Sequence, residues 1–170
     1  MSDKMVTYFQ SPLGAIKITG SENGIASIGF VKSAAPTHSI PDCLAEAVRQ
    51  LTEYFAGTRK EFSFELDLRG TDFQIQVWRY LLTIPFGETR SYLDVALVLG
   101  DRKAIRAVGR ANGQNPIALV VPCHRVIGSD GSLTGYGGGL WRKEWLLNFE
   151  GSRLQTPLFD TRQVMVDARR

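Results

Sequence analysis

The chain has 170 residues, 44% hydrophobic and 22% charged, which suits one large domain or two small ones with a real core and excludes a disordered polymer. No apolar run approaches the roughly 20 residues that span a bilayer. The start "MSDKMVTYFQ" lacks the basic and apolar blocks of a secretory leader, and two cysteines in such a chain fit a reduced cytoplasm. The net charge of +3 is uneven: residues 1–68 carry six Lys and Arg against eight Asp and Glu, residues 69–150 ten against seven. A polyanion would therefore meet the back half, although an excess of this size is common in proteins that bind no nucleic acid.

The chain begins with short alternating runs, "VTYFQ", "AIKITG" and "IASIGF", separated by turn residues, so it predicts a β-meander. A loop with two prolines, "KSAAPTHSIPD", follows. Leu44, Val48, Leu51 and Phe55 then recur at helical spacing up to Gly57. "EFSFELDL" alternates again and predicts one more strand. This first part holds no polar constellation and reads as scaffold.

The pattern changes at residue 69. Thr71 and Gln74 form a capping box for a helix with an apolar stripe of Phe73, Val77, Trp78, Leu81 and Leu82, ended by Pro85 and Gly87. Ser91 and Asp94 cap a second helix that stops at Gly100. A third, "DRKAIRAVGRANG", runs to about Gly113, and together they read as a helix-turn-helix. The third helix is thin, with Ala104, Ala107, Gly109, Ala111 and Gly113. Thinness serves either close packing on the protein's own core or close approach to a DNA groove, where Arg102, Lys103, Arg106 and Arg110 would meet phosphates.

The stretch "NPIALVVPCHRVIG" predicts a core strand over residues 117–121, ended by Pro122. Cys123 then stands beside His124 and Arg125, cationic neighbours that favour the thiolate. Cysteine is otherwise a small buried hydrophobe, and Cys43 is read that way. A metal site from His38, Cys43, Cys123 and His124 has no recognised ligand spacing, so none is assigned. Downstream, Trp141, Trp145 and Phe149 mark a helix with Glu150 at its last turn. The helix dipole is unfavourable for an acid there, so a nearby cation is expected, with His124 the candidate. Between them "GSDGSLTGYGGGL" reads as a surface turn or as a pocket wall around Tyr136.

These residues carry a resemblance. "RAVGRANGQNP", "NPIALVVPCHRVIG" and "TGYGGGLWRKEWLLNFEG", over roughly residues 71–151, resemble the O6-alkylguanine-DNA alkyltransferases, also called methylated-DNA–protein-cysteine methyltransferases; "SPLG" and "YFAG" resemble the family's first domain. The resemblance implies an α+β two-domain fold. Residues 1–68 would form a ribonuclease H-like β-meander with a helix, and residues 69–151 a mostly helical, winged-helix-like domain carrying the helix-turn-helix. Residues 152–170 form a tail without an assigned role.

The implied reaction is irreversible, single-turnover transfer of an alkyl group from O6 of guanine, less readily O4 of thymine, in double-stranded DNA, after base flipping. Cys123 would be the acceptor, His124 the base acting through a water, and Glu150 the group that orients it. Asn115 would tie the helix-turn-helix to the active-site segment. Tyr92 would help protonate the leaving base and rotate the target phosphate. Val126, Tyr136, Gly137, Gly138 and Lys143 would form the substrate pocket. Arg106 would fill the gap left by the flipped nucleotide. The third helix, through Ala104, Ala107 and Gly109 with Arg102, Lys103 and Arg110, would enter the minor groove. No cofactor is implied, and the protein would be a monomer, with cooperative loading on DNA left open. Arg110 and Gly137 depart from the family, which often has a small residue and serine there, and zinc ligands of some relatives are not evident. Two other readings are a non-catalytic binder of alkylated DNA, which would lack Cys123, and a Cys–His hydrolase. The hydrolase would turn over repeatedly, but adjacent strand residues point to opposite faces and no papain-like signature is present.

Overall fold

The computed structural model describes residues 3–36 and 39–152. Strands β1 (Met5–Ser11), β2 (Gly14–Ser21) and β3 (Gly24–Phe30) form an antiparallel meander in that order. Ile18 of β2 faces Ile28 of β3, and both are fully buried. The inner face of this meander packs on α1 (Asp42–Phe55), whose buried Leu44, Ala47, Leu51 and Tyr54 recur every three or four residues. The β2–β3 turn needs its glycine. Gly24 has φ 130°, and a Cβ there would come within 2.8 Å of the Glu65 carbonyl oxygen.

The segment 61–68 is not the predicted strand. Among the described residues its ladder to the sheet is one parallel bridge of Leu66 to Ile25, made by Ile25 N–H to Glu65 O at 2.9 Å and Asp67 N–H to Ile25 O at 2.8 Å. Its alternating Phe62, Phe64, Leu66 and Leu68 are half-buried against the core instead. Alternation sets which side faces inward, and ladder length depends on a partner the segment lacks.

In the second half, α2 (Asp72–Leu81) and α3 (Tyr92–Val98) both start at the expected capping boxes, Thr71 with Gln74 and Ser91 with Asp94. The third helix is shorter than predicted. Arg102–Ala104 form a separate 3₁₀ turn capped by Asp101, and α4 runs Ile105–Gly113. Trp78 of α2 donates its indole N–H to the Ala111 carbonyl at 2.8 Å, which locks α2 to α4. Two short parallel strands, β4 (Arg90–Ser91) and β5 (Val126–Ile127), and the final helix α5 (Leu140–Phe149) complete the fold.

Residues 117–121 are also not a strand. Ile117 makes a single parallel bridge to Ile28, and the chain then turns tightly, Val121 N–H to Ile117 O at 3.0 Å, with Leu119 at φ 74°. A fully buried apolar run looks the same in sequence whether it is extended or folded on itself. Asn115 stabilises the turn: its Oδ1 accepts the Ile117 N–H at 2.9 Å and its Nδ2 donates to the Val121 carbonyl at 2.7 Å. One contiguous core runs through both halves. Among the described residues no helix is long and apolar enough to cross a membrane. His38 and the tail from residue 153 lie outside the described residues.

Candidate active site and exposed helix

After Pro122 the chain enters a 3₁₀ turn, Cys123–Arg125. Successive side chains on such a turn leave about a third of a revolution apart, so neighbours need not face opposite ways as on a strand. Cys123, His124 and Arg125 are all buried. Glu150, at the end of α5, is buried with them and accepts four hydrogen bonds. His124 Nε2 lies 2.6 Å and Tyr54 Oη 2.8 Å from Oε1, Arg125 Nη2 lies 2.9 Å from the same oxygen, and Arg125 Nε lies 2.8 Å from Oε2. His124 is thus the partner expected from sequence; Arg125 and Tyr54 were missed. The signal for a second cation was there, since one neutral imidazole does not offset a buried carboxylate at a helix C-terminus.

The charges follow from these contacts. Burial pushes the Glu150 carboxyl up, but His124 and Arg125 outweigh it and hold the pKa at about 2. Burial depresses the His124 pKa more than Glu150 raises it, so the ring is neutral near pH 7. An ionised carboxylate only accepts, so Nε2 carries the proton and Nδ1 presents a lone pair. Nδ1 has no hydrogen-bond partner among the described residues. Burial raises the Cys123 thiol above its ordinary value, against the smaller opposing effects of Asn115 and Lys143. The expected thiolate is therefore corrected: the Arg125 guanidinium is spent on Glu150 and on the Ile84 carbonyl at 2.7 Å, His124 is uncharged, and the resting group is a thiol.

Cys123 lines a cavity of about 360 Å³. Asn115, Tyr136, Gly137 and Gly138 line it too, and the first half supplies residues 28–32 of its wall. The reading of that half as scaffold alone is incomplete. A Cβ on Gly137 would meet only the Gly113 carbonyl at 4.0 Å, so a side chain fits there. On Gly138 it would come within 2.9 Å of both the Phe30 and Tyr136 rings. The Tyr136 hydroxyl is buried without a partner among the described residues.

Val126 and Lys143 do not line the cavity. Val126 pairs with Arg90 in the β4–β5 ladder. Lys143 is fully buried and donates to the Thr134 carbonyl at 2.9 Å and to the Tyr92 hydroxyl at 3.4 Å. The Tyr92 hydroxyl donates to the same carbonyl at 2.9 Å. Lys143 and Tyr92 thus hold the glycine-rich loop from one side. Asn112, another residue missed in the sequence, donates to the Cys123 carbonyl at 3.3 Å.

The thin helix α4 uses both of its faces. Val108, Ala111 and Asn112 are buried, whereas Arg106, Ala107 and Arg110 are exposed. These three border a shallow hollow of about 320 Å³ with Thr71, Phe73 and Gln74. Gly109 has only the Tyr92 ring nearby, 3.9 Å from a built Cβ, and Ala104 is half-buried. Arg102 and Lys103 are exposed on the preceding turn.

Comparison with known proteins fits this arrangement. The family model described as "6-O-methylguanine DNA methyltransferase, ribonuclease-like domain" matches residues 4–68, and that described as "6-O-methylguanine DNA methyltransferase, DNA binding domain" matches residues 72–152. The chain is 52% identical over 153 residues to the methylated-DNA–protein-cysteine methyltransferase of Mycobacterium bovis, covering 87% of this chain and 93% of that protein. It is 49% identical over 151 residues to the one from Methanosarcina acetivorans, covering 85% and 96%. The crystal structure of Mycobacterium tuberculosis OGT in complex with DNA superposes with a TM-score of 0.78 at 52% identity, covering 87% of this chain and 93% of that one. Both halves match models of one group of proteins, and the chain belongs to the 6-O-methylguanine DNA methyltransferase family.

Proposed function

We propose that this protein repairs alkylated DNA by direct reversal, moving a methyl or larger alkyl group from O6 of guanine onto Cys123. The observation that carries the mechanism is the buried 2.6 Å contact of His124 Nε2 with Glu150, which leaves Nδ1 without a partner among the described residues, one position along the chain from the cavity-lining Cys123.

A base inside a duplex shields its O6, so the damaged nucleotide swings out into the cavity at a cost of a few kcal/mol. His124 Nδ1 takes the thiol proton through a water as Cys123 Sγ attacks the alkyl carbon. The S–C bond forms as the C–O6 bond breaks; guanine leaves with a proton from Tyr92, Tyr92 regains one from solvent, and His124 releases the thiol's proton to solvent, so one proton passes from thiol to guanine in all. The raised thiol pKa makes this coupling necessary, because little thiolate exists at rest. Arg125 and Tyr54 share the Glu150 charge and keep the imidazole oriented. Asn115 holds the turn that carries Cys123, while Tyr136, Gly137 and Gly138 wall the base. The thioether product is stable and nothing in the site regenerates the thiol, so each molecule acts once, without a cofactor.

DNA is bound through α4. Its outer face is small and basic, which suits the minor groove: Ala107 and Gly109 permit close approach, Arg106 fills the place of the flipped nucleotide, and Arg110, with Arg102 and Lys103 of the preceding 3₁₀ turn, meets phosphates. Because Cys123 and His124 lie on a 3₁₀ turn and not on a strand, the strand-based objection to a thiol–imidazole pair does not apply, and a turnover measurement is what separates this reading from a hydrolase. The test is intact-mass analysis after mixing with a duplex bearing O6-methylguanine. One methyl group per chain, permanent and mapped to Cys123, is expected, with none in Cys123→Ser although it still binds the duplex. Repeated turnover, or an unmodified Cys123, refutes the proposal.

A further inference from the structure

Arg142 lies in the first turn of α5, and its guanidinium serves both halves of the chain. Its Nε donates to the Leu13 carbonyl at 2.9 Å, in the β1–β2 turn 129 residues away. Its Nη1 donates to the Gly138 carbonyl at 2.7 Å, in the cavity wall. The guanidinium carbon lies 4.5 Å from the Phe30 ring centroid and 4.5 Å from that of Trp141. Phe30 ends β3 and lines the same cavity as Cys123. One planar cation thus joins a hairpin, a strand end and the glycine-rich loop.

That loop needs outside support. It has no helix or strand of its own between β5 and α5, and glycines at 135, 137, 138 and 139 give its backbone little stiffness. Lys143 and Tyr92 fix it at Thr134. Arg142 fixes it at Gly138, on the other side of Tyr136. The two N–H groups of a rigid fork set a distance and an angle together, which a flexible ammonium does not do.

Resting on the alkyl-transfer reading, we propose that Arg142 is a positioning residue: by tying the Gly138 carbonyl to the β1–β2 turn and stacking on Phe30, it sets the spacing between the Tyr136 wall and Cys123. The first domain thereby becomes a working part of the substrate cavity. Arg142 also lines the cavity, but it touches no reacting atom in this scheme. Its effect is geometric, and reaction rates are sensitive to shifts below an ångström.

The experiment compares wild type with Arg142→Lys, Arg142→Ala and Phe30→Leu. Four readouts are taken: single-turnover methyl transfer from an O6-methylguanine duplex, affinity for the undamaged duplex, Cys123 modification by iodoacetamide, and thermal melting. Arg142→Lys keeps the charge and stem but not the fork, and its transfer rate at saturating duplex is expected to fall by roughly tenfold or more. Undamaged-duplex affinity and iodoacetamide reactivity, which need no shaped cavity, should stay within about twofold. Phe30→Leu removes the stack, leaves both hydrogen bonds, and should lose less. If Arg142→Ala does not fold, the other two variants still read the effect. Transfer by Arg142→Lys within about twofold of wild type overturns the inference, as does a parallel loss of iodoacetamide reactivity and melting temperature, which would mark general loosening. If wild type itself transfers no methyl group, the functional proposal fails instead.

Discussion

The Glu150→Gln variant keeps the shape of the side chain and removes its charge. In the native site three donors, Tyr54 Oη, His124 Nε2 and Arg125 Nη2, converge on Oε1, and Arg125 Nε lies on Oε2. An amide offers one oxygen and one NH₂ group. Whichever way it is turned, its N–H groups face a donor, and the 6%-exposed Arg125 loses its counter-charge. Removing one member of a buried ion pair costs about 3–5 kcal/mol, or a melting temperature about 6–20 °C lower for a chain of this length. The proton on His124 is no longer dictated either. If the amide donates to Nε2, the ring proton moves to Nδ1 and the base is lost, so methyl transfer should fall roughly a hundredfold or more. Thermal melting and single-turnover transfer from an O6-methylguanine duplex measure the two effects. A variant that melts within about 2 °C of wild type and transfers at an unchanged rate refutes both the charge assignment and the tautomer.

The pH profile has a definite sign. Because burial depresses the His124 pKa, the acid limb of the transfer rate should lie below the ordinary histidine value of about 6.5, and a limb above that value contradicts a buried neutral base. Stability should fall with acid for two reasons of the same sign. His124 takes up a proton on unfolding once the pH is below about 6.5, and Glu150, held at about 2, loses its contribution as the pH drops from the ordinary carboxyl range toward that value. Urea melts across this range check it, and a flat dependence would contradict it. Gly138→Ala brings a Cβ within 2.9 Å of two rings, so transfer should drop by roughly tenfold while undamaged duplex still binds; an unchanged rate means that the wall yields. Arg106→Ala should weaken transfer from duplex more than from a free base analogue, and lower the slope of log affinity against log salt by about one if the side chain neutralises a phosphate. Equal losses on both substrates contradict its place beside the flipped nucleotide.

What was legible in the sequence was local. The two capping boxes, the meander turns and the helical period of α1 each depend on residues within four positions of one another, and each formed, although the buried face of α1 turned toward Ala47 and Tyr54 and left the expected Val48 and Phe55 half-buried. The two misread strands, 61–68 and 117–121, turn on partners elsewhere in the chain, which alternation and apolarity do not specify. The cysteine and histidine announced themselves by adjacency, and Glu150 by its unfavourable place on a helix. Tyr54 did not, since its contact to Glu150 spans 96 residues, and Arg125, though noted beside Cys123, was not paired with the acid. The charge on Cys123 was misjudged because sequence shows that cations are near and not that they are already engaged.

The seam between the two halves has a consequence for exchange of parts. Tyr54 reaches Glu150, Leu13 receives Arg142, and Ile28 bridges to Ile117 just ahead of the cysteine turn. A chimera that grafted a relative's amino-terminal half onto this carboxyl-terminal half would have to supply a hydroxyl, a carbonyl and a strand edge at three separate points at once. The halves are modules in outline but matched like a key cut for one lock, and substitutions along their border are constrained to change in step.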